Sequence, residues 1–181
     1  MRSRLGSSEV SNRGKGHGMA ELTNLESKLG EVLGLAMAAQ GATEKVKKLD
    51  DLDDDLAKAL DRMHEEAKQA EQRATKVAGE FEGKKTAILD EAREVKQRAT
   101  EMMRDYLDRD ADALDGFEFL TMAEAGEVGH WEILKTLNER ARNSDVQALV
   151  EWGIPIQQRH LEQVRQGSLK LAAEEDPNET S

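Results

Sequence analysis

The sequence predicts an all-α protein, an antiparallel bundle of four to five long helices. Apolar residues recur at helical spacing from Glu21 onward, and no stretch alternates as a strand would. Of the 181 residues only Pro155 and Pro177 are proline, so long stretches are free to be helical. Aromatic residues make up 3% of the chain, far below the demand of β-sandwiches and barrels. At this length one domain is expected.

The organisation predicted is a basic leader over residues 1–19, a bundle over 20–173 and a polar tail over 174–181. The leader carries Arg2, Arg4, Arg13 and Lys15 against Glu9, is rich in Ser and Gly, and reads as disordered. Met19 stands just before the first periodic segment, so an upstream extension or a mis-assigned start accounts for the leader, and His17 within it is incidental. The first helix presents Leu22, Leu25, Leu29, Val32, Leu33 and Ala36 on one face, fades near Gly41 and is expected to end by the acidic run that starts at Asp50. The acidic run from Asp50 to Asp55 suits the entrance of the next helix, whose free N–H groups attract negative charge. That second helix places Leu56, Leu60, Met63, Ala67, Ala70, Ala74 and Val77 in alternating steps of four and three, the coiled-coil pattern. Gly79 and Gly83 bracket a turn, and the third helix continues with Ile88, Ala92, Val95, Ala99, Met102 and Tyr106. The second and third helices are expected to form a hairpin with charged outer faces, over residues 53–109.

A turn is expected from Asp110 to Gly116, then a fourth helix from about Phe117 to Arg142. Ser144, with Gln147 three residues later, reads as the N-cap of a fifth helix reaching Ala172, with Pro155 kinking it. Phe117, Phe119, Trp131 and Trp152 fall in these last two helices, so the best-packed core is expected there.

The chemistry is expected where polar residues sit in an apolar stripe. In the fourth helix Glu127 and His130 fall among Leu120, Ala123, Leu134, Leu137 and Ala141. In the fifth, Gln157 and His160 fall among Val146, Leu149, Gly153, Ile156, Val164 and Leu171. Residues three apart on a helix face one spot. With a turn at Arg142–Asp145, residues whose numbers add to about 287 share a height, which pairs Glu127 with His160 and His130 with Gln157. The first three helices offer less: His64, Asp61 and Glu71 lie off the second stripe, and Glu26, Gln40 and Glu91 are the nearest candidates elsewhere.

The Glu127–His130 pair and the Gln157–His160 pair resemble the motif of the ferritin-like carboxylate proteins. In those bundles two helices each give Glu-x-x-His and two others each give a Glu to a pair of metal ions. Gln157 replaces a Glu, and no further Glu is clearly buried. The resemblance therefore implies a metal site of Glu127, His130 and His160, with Gln157 a weak ligand or outer donor and Trp131 and Trp152 as walls. Iron or manganese is implied, with zinc a third candidate, and oxygen or peroxide chemistry; no substrate or catalytic residue is indicated. The alternative is a layer in which the same four side chains hydrogen-bond one another and fix the register of a non-catalytic assembly protein.

Composition excludes other classes. The absence of cysteine removes disulfides, thiolate metal sites and cysteine nucleophiles. No apolar run is long enough for a membrane span. A net charge of −11 disfavours nucleic acid and anionic membranes. There is no phosphate-binding glycine loop and no nucleophile elbow. Alanine-rich stripes suggest a partner helix, hence a homo-oligomer, and the acidic, signal-free chain fits the cytoplasm.

Overall fold

A computed structural model describes residues 20–50 and 52–178. The expected leader, His17 within it, Asp51 and the last three residues of the expected tail lie outside the described residues. The described chain is all-helical, with α1 (Asn24–Val46), α2 (Asp54–Gly79), α3 (Lys85–Tyr106), α4 (Ala113–Ala141) and α5 (Ser144–Ala172). None of these helices is long and apolar enough to cross a membrane.

Side-chain contacts fix the directions. Gln40 of α1 meets Glu71 of α2, and Lys47 meets Asp61, so these two run antiparallel. Glu127 of α4 meets Gln157 of α5 while Thr121 meets Ser168, another antiparallel pair. Glu66 and Asp53 of α2 meet His160 and Lys170 of α5, and Glu31 of α1 meets His130 of α4. Four helices thus form a square with α1 diagonal to α5 and α2 diagonal to α4, every neighbouring pair antiparallel. The fifth, α3, lies outside the square against α1 and barely touches α2 or α4. It carries the chain back along the bundle, so α2 and α4 run in the same direction.

This arrangement corrects the expected hairpin of the second and third helices, because α1 occupies the place between them. The reason is in the glycines of α1. A Cβ on Gly30 would stand 2.9 Å from both the Glu91 side chain and the Ile88 carbonyl, and one on Gly34 would stand 2.7 Å from Val95 Cβ. Bare backbone lets α3 settle onto α1 more closely than any side chain would permit. Correspondingly, Ile88, Ala92 and Val95 are buried, whereas Met102 and Tyr106, expected in the same stripe, are 48% and 57% exposed. The α2 stripe is buried throughout, from Leu56 to Val77.

The first helix ends at Val46, before the acidic run as expected, its start held by a capping box between Thr23 and Glu26. Glu26 is thereby a cap and not a site residue. Two other element ends differ. The fourth helix starts earlier, at Ala113, because Asp112 and Asp115 form a second capping box. Gly116 is then inside it, where a Cβ would stand 2.7 Å from Leu49 and 2.8 Å from Val46. The cap of α5 is Asn143, not Ser144: its side chain accepts from the Asp145 and Val146 N–H groups. Arg142 takes the left-handed conformation that ends α4. Buried Asn138 closes the turn from both sides, donating to the Asn143 carbonyl and accepting from its N–H, each at 3.0 Å. Pro155 sits within α5 without ending it.

The core falls into two clusters. One gathers Leu29, Val32, Leu33, Ala70, Ala74, Trp131, Leu134, Val146 and Val150; the other gathers Leu60, Met63, Phe117, Leu120, Val164 and Leu171. Glycines on α5 admit the aromatic rings: the bare Cα of Gly153 faces Trp131, and that of Gly167 faces Phe117. Between the clusters lies a layer of buried polar side chains.

A buried acidic layer as the candidate functional site

Glu124 and Glu127 of α4 and Gln157 and His160 of α5 are each at most 4% exposed. The Gln157 amide donates to Glu127 Oε2 at 2.6 Å. His160 Nε2 bonds Glu66 Oε2 of α2 at 2.6 Å, and its Nδ1 stands 3.7 Å from Glu124 Oε2, an ion-pair distance beyond hydrogen-bond length. Arg159 donates to the other Glu66 oxygen at 2.5 Å. An imidazole flanked by carboxylates on both nitrogens serves both only as the imidazolium.

The electrostatics agree. Burial by itself lowers the His160 pKa, but the carboxylates of Glu124 and then Glu66 outweigh it and hold the imidazole above its ordinary range. Glu66 is pushed up by burial and pulled down further by His160 and Arg159, so its carboxyl ends below the usual range. Glu127 is raised well above it, first by burial and then by the charge on Glu124, with the Gln157 hydrogen bond opposing. The layer therefore favours the protonated forms of His160 and Glu127. Two acceptors in it have no donor: Glu124 Oε2 and Gln157 Oε1.

Of the four residues singled out by sequence, Glu127, Gln157 and His160 join this layer and His130 does not. His130 turns toward α1, its Nδ1 2.9 Å from Glu31 and 3.3 Å from Lys28, with about a third of the side chain exposed. The expected pairing of Glu127 with His160 is replaced by Glu127 with Gln157 and Glu124 with His160. The cause is the turn. Capping by Asn143 puts its centre earlier than Arg142–Asp145 implied, and Asn138 opposite Gln147 already shows the earlier register. The α4 stripe shifts accordingly to Phe117, Leu120, Glu124, Glu127, Trp131, Leu134 and Asn138.

Glu124 and Glu66 escaped the sequence reading. A signal for Glu124 was present: taking Trp131 as the stripe's centre puts Glu124 and Glu127 seven and four residues before it. Glu66 had none, being an α2 flank residue beside buried Ala67.

The remaining candidates have other roles. His64 lies 3.2 Å from the Gln40 carbonyl and 3.3 Å from Thr43 Oγ1, half-buried between α1 and α2. Glu71 accepts from Gln40 at 2.6 Å. Glu91 lies against Gly30 and within 3.8 Å of Arg98. Trp131 is buried against Gly153, and Trp152 is half-buried under the Arg73 guanidinium, 4.5 Å from the ring centroid.

The layer's donor types, three carboxylates and one imidazole, suit a divalent cation. The two partnerless acceptors are further places that a cation satisfies. Among the described residues, however, no three Asp, Glu or His groups converge closely enough to hold an ion. No known protein family matches the chain, and no curated protein or solved structure is significantly similar to it.

Proposed function

We propose that this chain is a ferritin-like helical bundle whose buried acidic layer binds a divalent metal, iron or manganese before zinc. The observation that carries the reading is the run of Glu66, His160, Glu124 and Glu127 from three helices, in which His160 bonds Glu66 and faces Glu124, and one Glu124 oxygen has no donor. The connectivity supports it. Two antiparallel pairs joined by one long crossover is the ferritin-like plan, with α3 as the crossover. The ligands would be Glu66, Glu124, Glu127 and His160, with Gln157 a neutral neighbour. When bound, such an ion supplies Lewis-acid or redox chemistry. The protein's own part is to exclude water, to hold the carboxylates against His160, and to keep protons where the cation would otherwise sit. Loading therefore releases protons from His160 and Glu127, and affinity climbs with pH.

The test is metal content of protein purified without affinity metal, followed by anaerobic titration with Fe(II) and Mn(II). About one equivalent or more is expected, lost in Glu66→Gln and His160→Ala and retained in His130→Ala. A wild type that takes up neither ion removes the reading.

A second reading is favoured by one observation: His160 already satisfies Glu66 and faces Glu124 without a metal. On that reading the layer sets helix register in an interaction module, and His160→Ala lowers stability to the same extent with or without added metal. The oligomeric state, measured by sedimentation, would then be the property to follow.

A further inference from the structure

Because α3 hardly touches α4, the groove between them is not filled. It forms a cleft of about 180 Å³ whose walls come from α1, α3 and α4. Leu35, Ala38, Ala99, Met102 and Met122 make the walls, and Glu124 and Glu127 line the buried end. Met102 and Met122 are half exposed at the mouth, while the two glutamates are almost wholly buried. His130 also lines the cleft, held by Glu31 and Lys28.

The walls and the floor of this cleft call for opposite chemistries. The walls are aliphatic and thioether, the latter conformationally adaptable. The floor carries carboxyl groups, and Glu124 Oε2 is buried without a hydrogen-bond donor, facing only His160 Nδ1 at 3.7 Å. An unpaired buried acceptor is destabilising, and a charge-assisted donor relieves it most. The size is also informative. An apolar cavity of about 150 Å³ takes up a molecule the size of benzene, so this cleft accepts a small organic group and not a large one. A carboxylate ligand is repelled by the floor, and an alcohol satisfies the acceptor without meeting its charge.

We propose that the cleft between α1, α3 and α4 binds a small amine as its ammonium ion, the nitrogen on Glu124 and Glu127 and a short alkyl or aryl group along the walls. The proposal shares with the metal reading the premise that the acidic layer accepts a cation. It uses Glu124 and Glu127, which line the cleft, and not Glu66 or His160, which do not.

The experiment is calorimetric titration of the full, metal-free chain with hexylamine and benzylamine, with hexanol, hexanoate and ammonium chloride as controls. Saturable one-to-one binding of at least one amine is expected, about tenfold or more tighter than hexanol, with hexanoate and ammonium chloride silent. Glu124→Gln, an isosteric change that removes the charge, weakens the amine about tenfold or more, equivalent to ~1.4 kcal/mol. Ala99→Leu fills the cleft from the half-exposed side of α3, where misfolding is not expected, and also abolishes binding. Glu66→Gln leaves amine affinity within about threefold. Absence of saturable amine binding, equal affinity for hexanol, or an unchanged Glu124→Gln variant overturns the proposal. Metal uptake without amine binding defeats this inference alone, and amine binding without metal uptake defeats the metal reading alone.

Discussion

Glu127 and His160 both hold protons in the fold that the unfolded chain gives up more readily. A group whose folded pKa is raised contributes stability that is complete below its unfolded pKa and is lost as the pH climbs through the folded one. For Glu127 that loss begins above 4.5, and for His160 above 6.5. Glu66 works in the other sense. Its folded pKa is depressed, so its contribution is present above 4.5 and lost as pH falls through the folded value. The metal-free protein is thus expected to weaken on the alkaline side as well as in acid. Glu127→Gln keeps an acceptor for the Gln157 amide and removes the ionisation. Its urea midpoint should exceed the wild type's at about pH 8 by an amount worth on the order of 1 kcal/mol, and its alkaline decline should be shallower. A wild-type midpoint that increases steadily from about pH 6 to 9 contradicts the assignment of protons to this layer.

At the scale of the element, helix packing here is governed by which glycines are occupied from across the interface. Gly153 receives Trp131, and a Cβ there would stand 2.8 Å from ring atom Cε3, with two other ring atoms nearer. Gly153→Ala is therefore expected to destabilise by about 2 kcal/mol or more through overpacking, since an indole ring cannot bend aside. Gly41, within α1, has no atom within 4 Å of the same construction. Gly41→Ala should stabilise by about 1 kcal/mol, the ordinary helix-interior gain. Chemical denaturation of the two variants checks both signs. The same elements show what the sequence could and could not convey. The α2 stripe was fully legible because its steps of four and three are unbroken and nothing polar competes within it. The α4 stripe was legible only to within one position. Ala123 is apolar and Glu124 is charged, so pattern alone favours the alanine; the packing of Trp131 on Gly153 decides for the glutamate. Glu127, Gln157 and His160 were legible as polar residues in apolar stripes, whereas Glu66 enters the site only through a contact between α2 and α5 that no local pattern encodes.

In the whole molecule, α3 stands outside the four-helix square, packed on α1. It is amphipathic, as its sequence required, but the number of apolar residues cannot say which neighbour covers them, and the glycines of α1 settle that. Only Ala87, Ile88, Ala92 and Val95 of α3 are buried, whereas each helix of the square buries eight or more residues. Its start lacks a side-chain cap, and beyond Val95 it contributes the wall of a cleft in place of a packed face. Few buried apolar contacts mean a low free energy of local opening. The segment from about Ala99 to Tyr106 should accordingly exchange its amide hydrogens well before the midsections of α1, α2, α4 and α5, which span the two clusters and the polar layer. Peptide-resolved hydrogen exchange would show this as early deuteration confined to the second half of α3. Protection there equal to that of α4 would mean that something covers this face in solution. An amine filling the cleft bridges α1, α3 and α4, so its addition should slow exchange in that same segment and leave the α2–α5 side unchanged. Where the protection appears thus separates occupancy of the cleft from a general stabilisation of the fold, which would slow all five helices together.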